Sequence, residues 1–181
     1  MRIKKYTQFI KESSEYKYGC VMIETPFSNW KEITDMISPE DIYTKDDDDT
    51  FGIQENPHLT IFYGLHSNVK TEVVEDIFRE FKGDIKIEGN GISVFENELF
   101  DVVKFNINPQ GSLQSLFNEF MKLPNSCNYP NYEPHITIAY VKKGCGQKYV
   151  NDKIQVKVDD FDRVCYSMPN GEKTYFYIWT F

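Results

Sequence analysis

The apolar residues of this chain follow two periods, and the alternation between them lays out the expected elements. Tyr18 to Glu24, YGCVMIE, is a short apolar run that predicts a first strand. Asn29 to Ile37 carries Trp30, Ile33, Met36 and Ile37 at helical spacing. His58 to Leu65 predicts a second strand, and Val69 to Phe81 a helix with Val73, Val74, Ile77, Phe78 and Phe81 on one face. Two short strands are expected at Ile85–Glu88 and Gly91–Phe95, and another at Asp101–Ile107, DVVKFNI. Ser112 to Leu123 places Leu113, Leu116, Phe117, Phe120 and Met121 three and four apart, a helix that Pro124 stops. Strands at His135–Val141, Ile154–Val158, Phe161–Ser167 and Thr174–Trp179 complete the pattern, with Pro169-Asn170-Gly171 as the turn before the last. Residues 1–15 are polar, with a weak helical pattern, and read as an N-terminal arm. No linker divides residues 16–181, which are expected to form one α+β domain.

Two of these strands carry the same heptad. Residues 57–63 read PHLTIFY and residues 134–140 read PHITIAY. Because successive strand side chains point to opposite faces, His58 and Thr60 share one face, and Leu59 and Ile61 take the other. His135 and Thr137 likewise stand opposite Ile136 and Ile138. With three histidines and ten threonines in the chain, chance supplies roughly 0.2 His-x-Thr tripeptides, so two inside matching heptads are not accidental. The strands fall at corresponding places in the order of elements. This predicts two pseudo-symmetric halves, each with an antiparallel sheet flanked by helices, and a central cleft onto which both pairs converge.

Such a set has a definite chemical use. Cleaving a phosphodiester without a metal needs a base for the attacking hydroxyl, an acid for the leaving oxygen, and donors that hold the phosphate. Histidine suits both proton roles because its ordinary pKa is about 6.5. Two threonine hydroxyls can donate to the non-bridging oxygens. A two-histidine metal site is the rival reading. It lacks an Asp, Glu or third His at ligand spacing, unless His66 is enlisted, so neither metal nor cofactor is expected.

Net charge narrows the partners. At −8 over 181 residues, with a pI near 4.9, the chain has no cation excess to neutralise a duplex backbone. Asp46 to Asp49 reads as a solvated loop rather than a calcium loop, having neither alternating ligands nor a turn glycine. The four cysteines (Cys20, Cys127, Cys145, Cys165) are widely spaced, as in a reduced cytosolic protein. No apolar run is long enough to span a membrane. A cytoplasmic monomer is expected, without membrane or duplex partners.

On the heptads PHLTIFY and PHITIAY the chain resembles the 2H phosphoesterase superfamily, from about Tyr16 to Phe181. The resemblance implies a bilobal fold with the motifs on central strands, metal-independent phosphodiesterase activity, and His58, Thr60, His135 and Thr137 as the catalytic set. Within that superfamily the short, acidic, aromatic-rich chain is similar to the phage anti-CBASS nucleases, which destroy the cyclic oligonucleotide messengers of bacterial immunity. That likeness implies a small cyclic di- or oligonucleotide substrate cut at 3′–5′ bonds in the host cytoplasm. An RNA-end-processing 2′,3′-cyclic phosphodiesterase of the same superfamily is the alternative, and a non-catalytic cyclic-nucleotide sponge is a second.

A cyclic nucleotide needs flat surfaces for its bases, since stacking contributes roughly 1–3 kcal/mol per base. Tyr18, Phe95 and Phe100 are candidate platforms, with core packing equally open for each. Glu172, in the turn before the last strand, is a candidate acceptor for a base edge or an ordinary turn residue. Lys142 and Lys143 follow the second heptad, as added positive potential or as solvated turn lysines. Nothing in the sequence assigns base and acid between the two histidines.

Overall fold

The computed structural model describes residues 18–178 apart from 47, 49, 130, 159 and 160. The N-terminal arm, Asp47 and Asp49 of the aspartate run, and Trp179 of the last expected strand lie outside the described residues.

Eight strands are formed by the described residues: β1 (Gly19–Glu24), β2 (His58–Leu65), β3 (Ile87–Glu96), β4 (Phe100–Ile107), β5 (His135–Lys142), β6 (Asn151–Val158), β7 (Arg163–Ser167) and β8 (Lys173–Tyr177). They make one antiparallel sheet in the order β6-β3-β4-β5-β2-β1-β7-β8. The two heptad strands are therefore central neighbours. Each has its own hairpin or crossover partner outside it, β4 beside β5 and β1 beside β2.

The junction between β2 and β5 is narrow, with Leu59 opposite Ile136 as its register pair. Beyond that pair the strands part, and two loops complete their ladders. Residues 42–43 and 52–54 run along β5, with Tyr43 N–H donating to the Tyr140 carbonyl at 3.0 Å, Tyr140 N–H to Gly52 at 2.8 Å, and Gln54 N–H to Ile138 at 2.9 Å. Residues 124–126 do the same for β2, where Ser126 N–H donates to Gly64 at 2.9 Å and His66 N–H to Pro124 at 3.0 Å. Buried backbone groups exposed by the parting strands are satisfied in this way.

One face of the sheet carries the main core. Leu59, Ile61, Phe62, Ile136, Ile138 and Ala139 are buried there. Helices α2 (Thr71–Glu80) and α3 (Ser112–Phe120) cover it. Val74 and Phe78 are the buried residues of α2, and Leu113, Leu116, Phe117 and Phe120 those of α3, following the three-four spacing that the sequence predicts. The helices meet where the Phe78 and Phe120 rings lie 5.7 Å apart, and Phe62 reaches Phe117 at 5.4 Å. Truncating a fully buried ring such as Phe120 costs about 3–5 kcal/mol.

Two expected elements differ. The first helix, α1 (Trp30–Thr34), is shorter than the apolar spacing suggests. Pro39 holds Ser38 extended at ψ 128°, which ends any continuation, and residues 39–41 form a separate 3-10 turn. The two short strands expected around residues 85–95 are one strand, β3. Gly89 and Gly91 do not interrupt it. At Gly91, with φ 79°, the ladder bulges, and at Gly89 a Cβ would overlap the carbonyl of Asn106 on β4.

Candidate active site

β2 and β5 repeat not only their sequence but their burial. His58, Thr60 and Tyr63 are half-buried while Leu59, Ile61 and Phe62 are buried. His135, Thr137 and Tyr140 are likewise half-buried while Ile136, Ile138 and Ala139 are buried. Two consecutive buried residues mark a bulge, at Ile61–Phe62 against β1 and at Ile138–Ala139 against β4. The bulge resets the alternation and returns the shared tyrosine to the His-Thr face. Strict two-residue alternation misses Tyr63 and Tyr140. Their identical place in both heptads was the available signal.

The Leu59–Ile136 pair fixes how the four residues meet. In an antiparallel pair, the residues flanking a matched position face one another, so His58 is carried toward Thr137 and Thr60 toward His135. The two imidazoles thus take opposite corners of a quadrilateral and the two hydroxyls the other corners.

Both rings are held alike. His58 Nδ1 lies 3.1 Å from the Asn56 carbonyl, and His135 Nδ1 lies 3.0 Å from the Glu133 carbonyl. A carbonyl only accepts, so each bond requires Nδ1–H and makes Nε2 the atom that exchanges a proton in the neutral ring. Burial lowers the pKa of both. His58 is depressed by burial, with Lys173 adding to the effect and the Asn56 bond and Glu24 opposing it. His135 is pushed down to about 4, first by burial, with Lys104 and His58 reinforcing it.

Lys104 is a residue that sequence reasoning passed over. It stands on β4 in register with Thr137, and it is only 6% exposed. Its ammonium donates to Asn106 Oδ1 at 2.7 Å and to Ser93 Oγ at 2.9 Å, and lies 4.1 Å from the Phe95 ring centre. Burial brings its pKa down to about 8. A single cation inside the apolar run DVVKFNI was the signal. On the other side, Thr60 is in register with Met22 of β1 and its hydroxyl faces Cys20, whose thiol burial pushes up to about 12.

Of the candidate base platforms, Phe95 reaches His135. Its ring meets His135 edge-on at 5.0 Å. Tyr18 lies past Thr60, edge-on to Tyr63 at 6.0 Å and stacked on His66 at 6.1 Å. His66 Nε2 is 2.8 Å from Ser126 Oγ, where the loop beside β2 holds it. Phe100 needs correction. It is 1% exposed, and Tyr43, Phe51 and Tyr140 enclose its ring at 5.1–5.6 Å, so its surface is used in packing. Glu172 is exposed at the turn between β7 and β8. Its N–H donates to Asn170 Oδ1 at 3.0 Å. Lys142 donates to the Glu40 carbonyl at 2.6 Å, and Lys143 pairs with Asp101 at 3.4 Å, so both serve loop packing. Among the described residues no three His, Cys, Asp or Glu side chains form a metal-binding group. No described helix is long and apolar enough to cross a membrane.

An antiparallel sheet with two His-x-Thr strands side by side at its centre is the fold of the 2H phosphoesterases. Usb1 of Kluyveromyces marxianus superposes with a TM-score of 0.59, at 9% identity over 90% of this chain and 98% of that one. A protein described as a phosphoesterase gives 0.51, at 14% identity over 91% and 97%. Among curated proteins none matches the sequence. The sequence profile of anti-CBASS protein Acb1 matches residues 49–164, more than half of the chain and all of both heptads. The chain belongs to the anti-CBASS protein Acb1 family.

Proposed function

We propose that the protein is a metal-independent phosphodiesterase that cleaves 3′–5′ bonds of cyclic di- or oligonucleotide messengers, and that a phage uses it against CBASS immunity. The observation that carries the reading is the central quadrilateral, two Nδ1-anchored imidazoles alternating with two hydroxyls across the Leu59–Ile136 junction. One imidazole takes the proton of a ribose 2′-hydroxyl, whose oxygen attacks phosphorus. The other protonates the departing 5′-oxygen, and Thr60 and Thr137 hold the non-bridging oxygens. The resulting 2′,3′-cyclic phosphate is then opened by water with the two roles exchanged. Family membership supports the substrate class, and the acidic surface disfavours long RNA. We further infer that the sheet comprises two pseudo-symmetric halves related about the Leu59–Ile136 pair, bounding a substrate cleft. The strand order and the repeated burial pattern support it.

The test is a substrate panel with chelator present: cyclic dinucleotides, cyclic trinucleotides, a linear RNA and a nucleoside 2′,3′-cyclic phosphate, with products separated by chromatography. Cutting of cyclic oligonucleotides is expected. Cutting of the 2′,3′-cyclic phosphate alone makes the protein an RNA-end enzyme. Ligand recovered intact from denatured protein makes it a sponge. Activity lost to chelation and restored by a divalent ion overturns the metal-free mechanism.

A further inference from the structure

The two histidines share a motif, an anchoring bond and a burial pattern, but their neighbours differ in charge. On the His135 side, β4 supplies Lys104, a buried ammonium whose hydrogen-bond acceptors, Ser93 and Asn106, are neutral. The described carboxylate that acts on it is Glu133, an exposed residue two positions before His135. Phe95 lies against both, its ring centre 4.1 Å from the ammonium and 5.0 Å from the His135 ring, which it meets at right angles. A desolvated charge of this kind acts on its surroundings with little screening.

On the His58 side, β1 supplies Glu24, the ladder partner of His58. Arg163 of β7 pairs with Glu24 at 3.1 Å, and Lys173 of β8 adds a second cation. Arg163, Glu24 and Lys173 are all at the surface. Opposite charges there offset one another, and solvent screens what remains. His58 therefore faces a nearly balanced, wet set of charges, while His135 faces one buried cation.

We propose that this inequality divides the roles, so that His135 takes the proton from the attacking 2′-hydroxyl and His58 protonates the leaving 5′-oxygen, with Lys104 as the positioning residue that keeps His135 neutral. The assignment rests on the phosphodiesterase reading given above. In the first half-reaction His135 Nε2 accepts the 2′-hydroxyl proton as the 2′-oxygen–phosphorus bond forms. The phosphorus–5′-oxygen bond breaks, and the proton on His58 Nε2 passes to that oxygen. The step ends with His135 charged and His58 neutral, the arrangement that hydrolysis of the cyclic phosphate needs. Burial lowers both imidazoles, and a bound phosphate raises both. The buried Lys104 charge lowers His135 further, and the proton that the pair shares settles on His58.

Sulfur substitution separates the roles. A cyclic dinucleotide with a bridging 5′-sulfur leaves as a thiolate, whose conjugate acid has a pKa of about 8.5, and needs no proton from the enzyme. His58→Ala is expected to cut it within about tenfold of the wild-type rate, while His135→Ala stays down by about 10² or more. Rescue of His135→Ala instead, or equal rescue of both or neither, overturns the assignment. NMR titration of ligand-free protein reads the same inequality without turnover: of the three histidines, His135 titrates at lower pH than His58. Lys104→Met raises the His135 midpoint, and with it the acid limb of kcat/KM, by about half to one pH unit, and Lys104→Arg restores it. An unmoved midpoint removes Lys104 from the account. A wild-type protein that cuts neither substrate overturns the phosphodiesterase reading. The titration still decides the electrostatic claim in that case, because His135 at or above His58 sinks it.

Discussion

His135 couples the candidate site to the stability of the fold. Its imidazole titrates at about 4 in the native protein, chiefly because it is buried, against an ordinary value of 6.5. Below pH 6.5 the unfolded chain binds a proton at this residue that the native protein refuses. The sign follows: stability is full above about pH 7, falls as pH drops through 6.5, and levels off once the pH is below about 4. Between pH 8 and pH 5 these two pKa values give a loss of roughly 2 kcal/mol from His135. His58, depressed in the same direction, adds to the total. The perturbation that isolates His135 is His135→Asn, which keeps a polar donor near the Glu133 carbonyl and cannot titrate. Urea unfolding of both proteins at pH 8, 6.5 and 5 gives the double difference, in which titrating groups that do not interact with His135 cancel. The wild-type protein should lose roughly 2 kcal/mol more than the variant between the ends of that range. Equal losses, within about 0.5 kcal/mol, refute the claim that the folded structure keeps His135 neutral.

Other outcomes follow from particular contacts. Gly89→Ala drives a methyl into the Asn106 carbonyl of β4, and should cost about 2 kcal/mol or more by urea unfolding, since backbone rather than a side chain must shift. Asp101 is fully buried, and its carboxylate accepts the Gly144 N–H at 2.8 Å and the Gly146 N–H at 3.1 Å. Asp101→Ala therefore leaves two donors unmet and should destabilise by about 2–4 kcal/mol in the same assay. The Cys20 thiol, held near 12 by burial, should resist iodoacetamide at pH 8 in native protein and react once unfolded. Peptide mass mapping reads both states.

The His-x-Thr pairs were legible because a strand's period is two and each heptad fits within one strand. Which residues join them across strands was not. Lys104 reaches the site from β4 through the register with Thr137, and register between distant segments leaves no trace in a local pattern. The bulges at Ile61–Phe62 and Ile138–Ala139 break the period, so strict alternation puts Tyr63 and Tyr140 on the opposite face from the one they occupy. Phe100 lies on the open face by alternation, but Tyr43 and Phe51, from a stretch without strand or helix period, pack against its ring. The merging of two expected strands into β3 has the same origin. Glycine signals a break in a sequence, whereas here Gly89 admits the backbone of the neighbouring strand.

The central claim is that two imidazoles, without a metal, move the protons of a transesterification. The most direct measurement is single-turnover cleavage of a cyclic dinucleotide in EDTA by wild type, His58→Ala and His135→Ala, with phosphorus NMR following the products. The account predicts a transient 2′,3′-cyclic phosphate from wild type and a loss of about 10² or more in each variant, with circular dichroism unchanged. Near-full rate in either variant, or products formed without the cyclic phosphate, contradicts it.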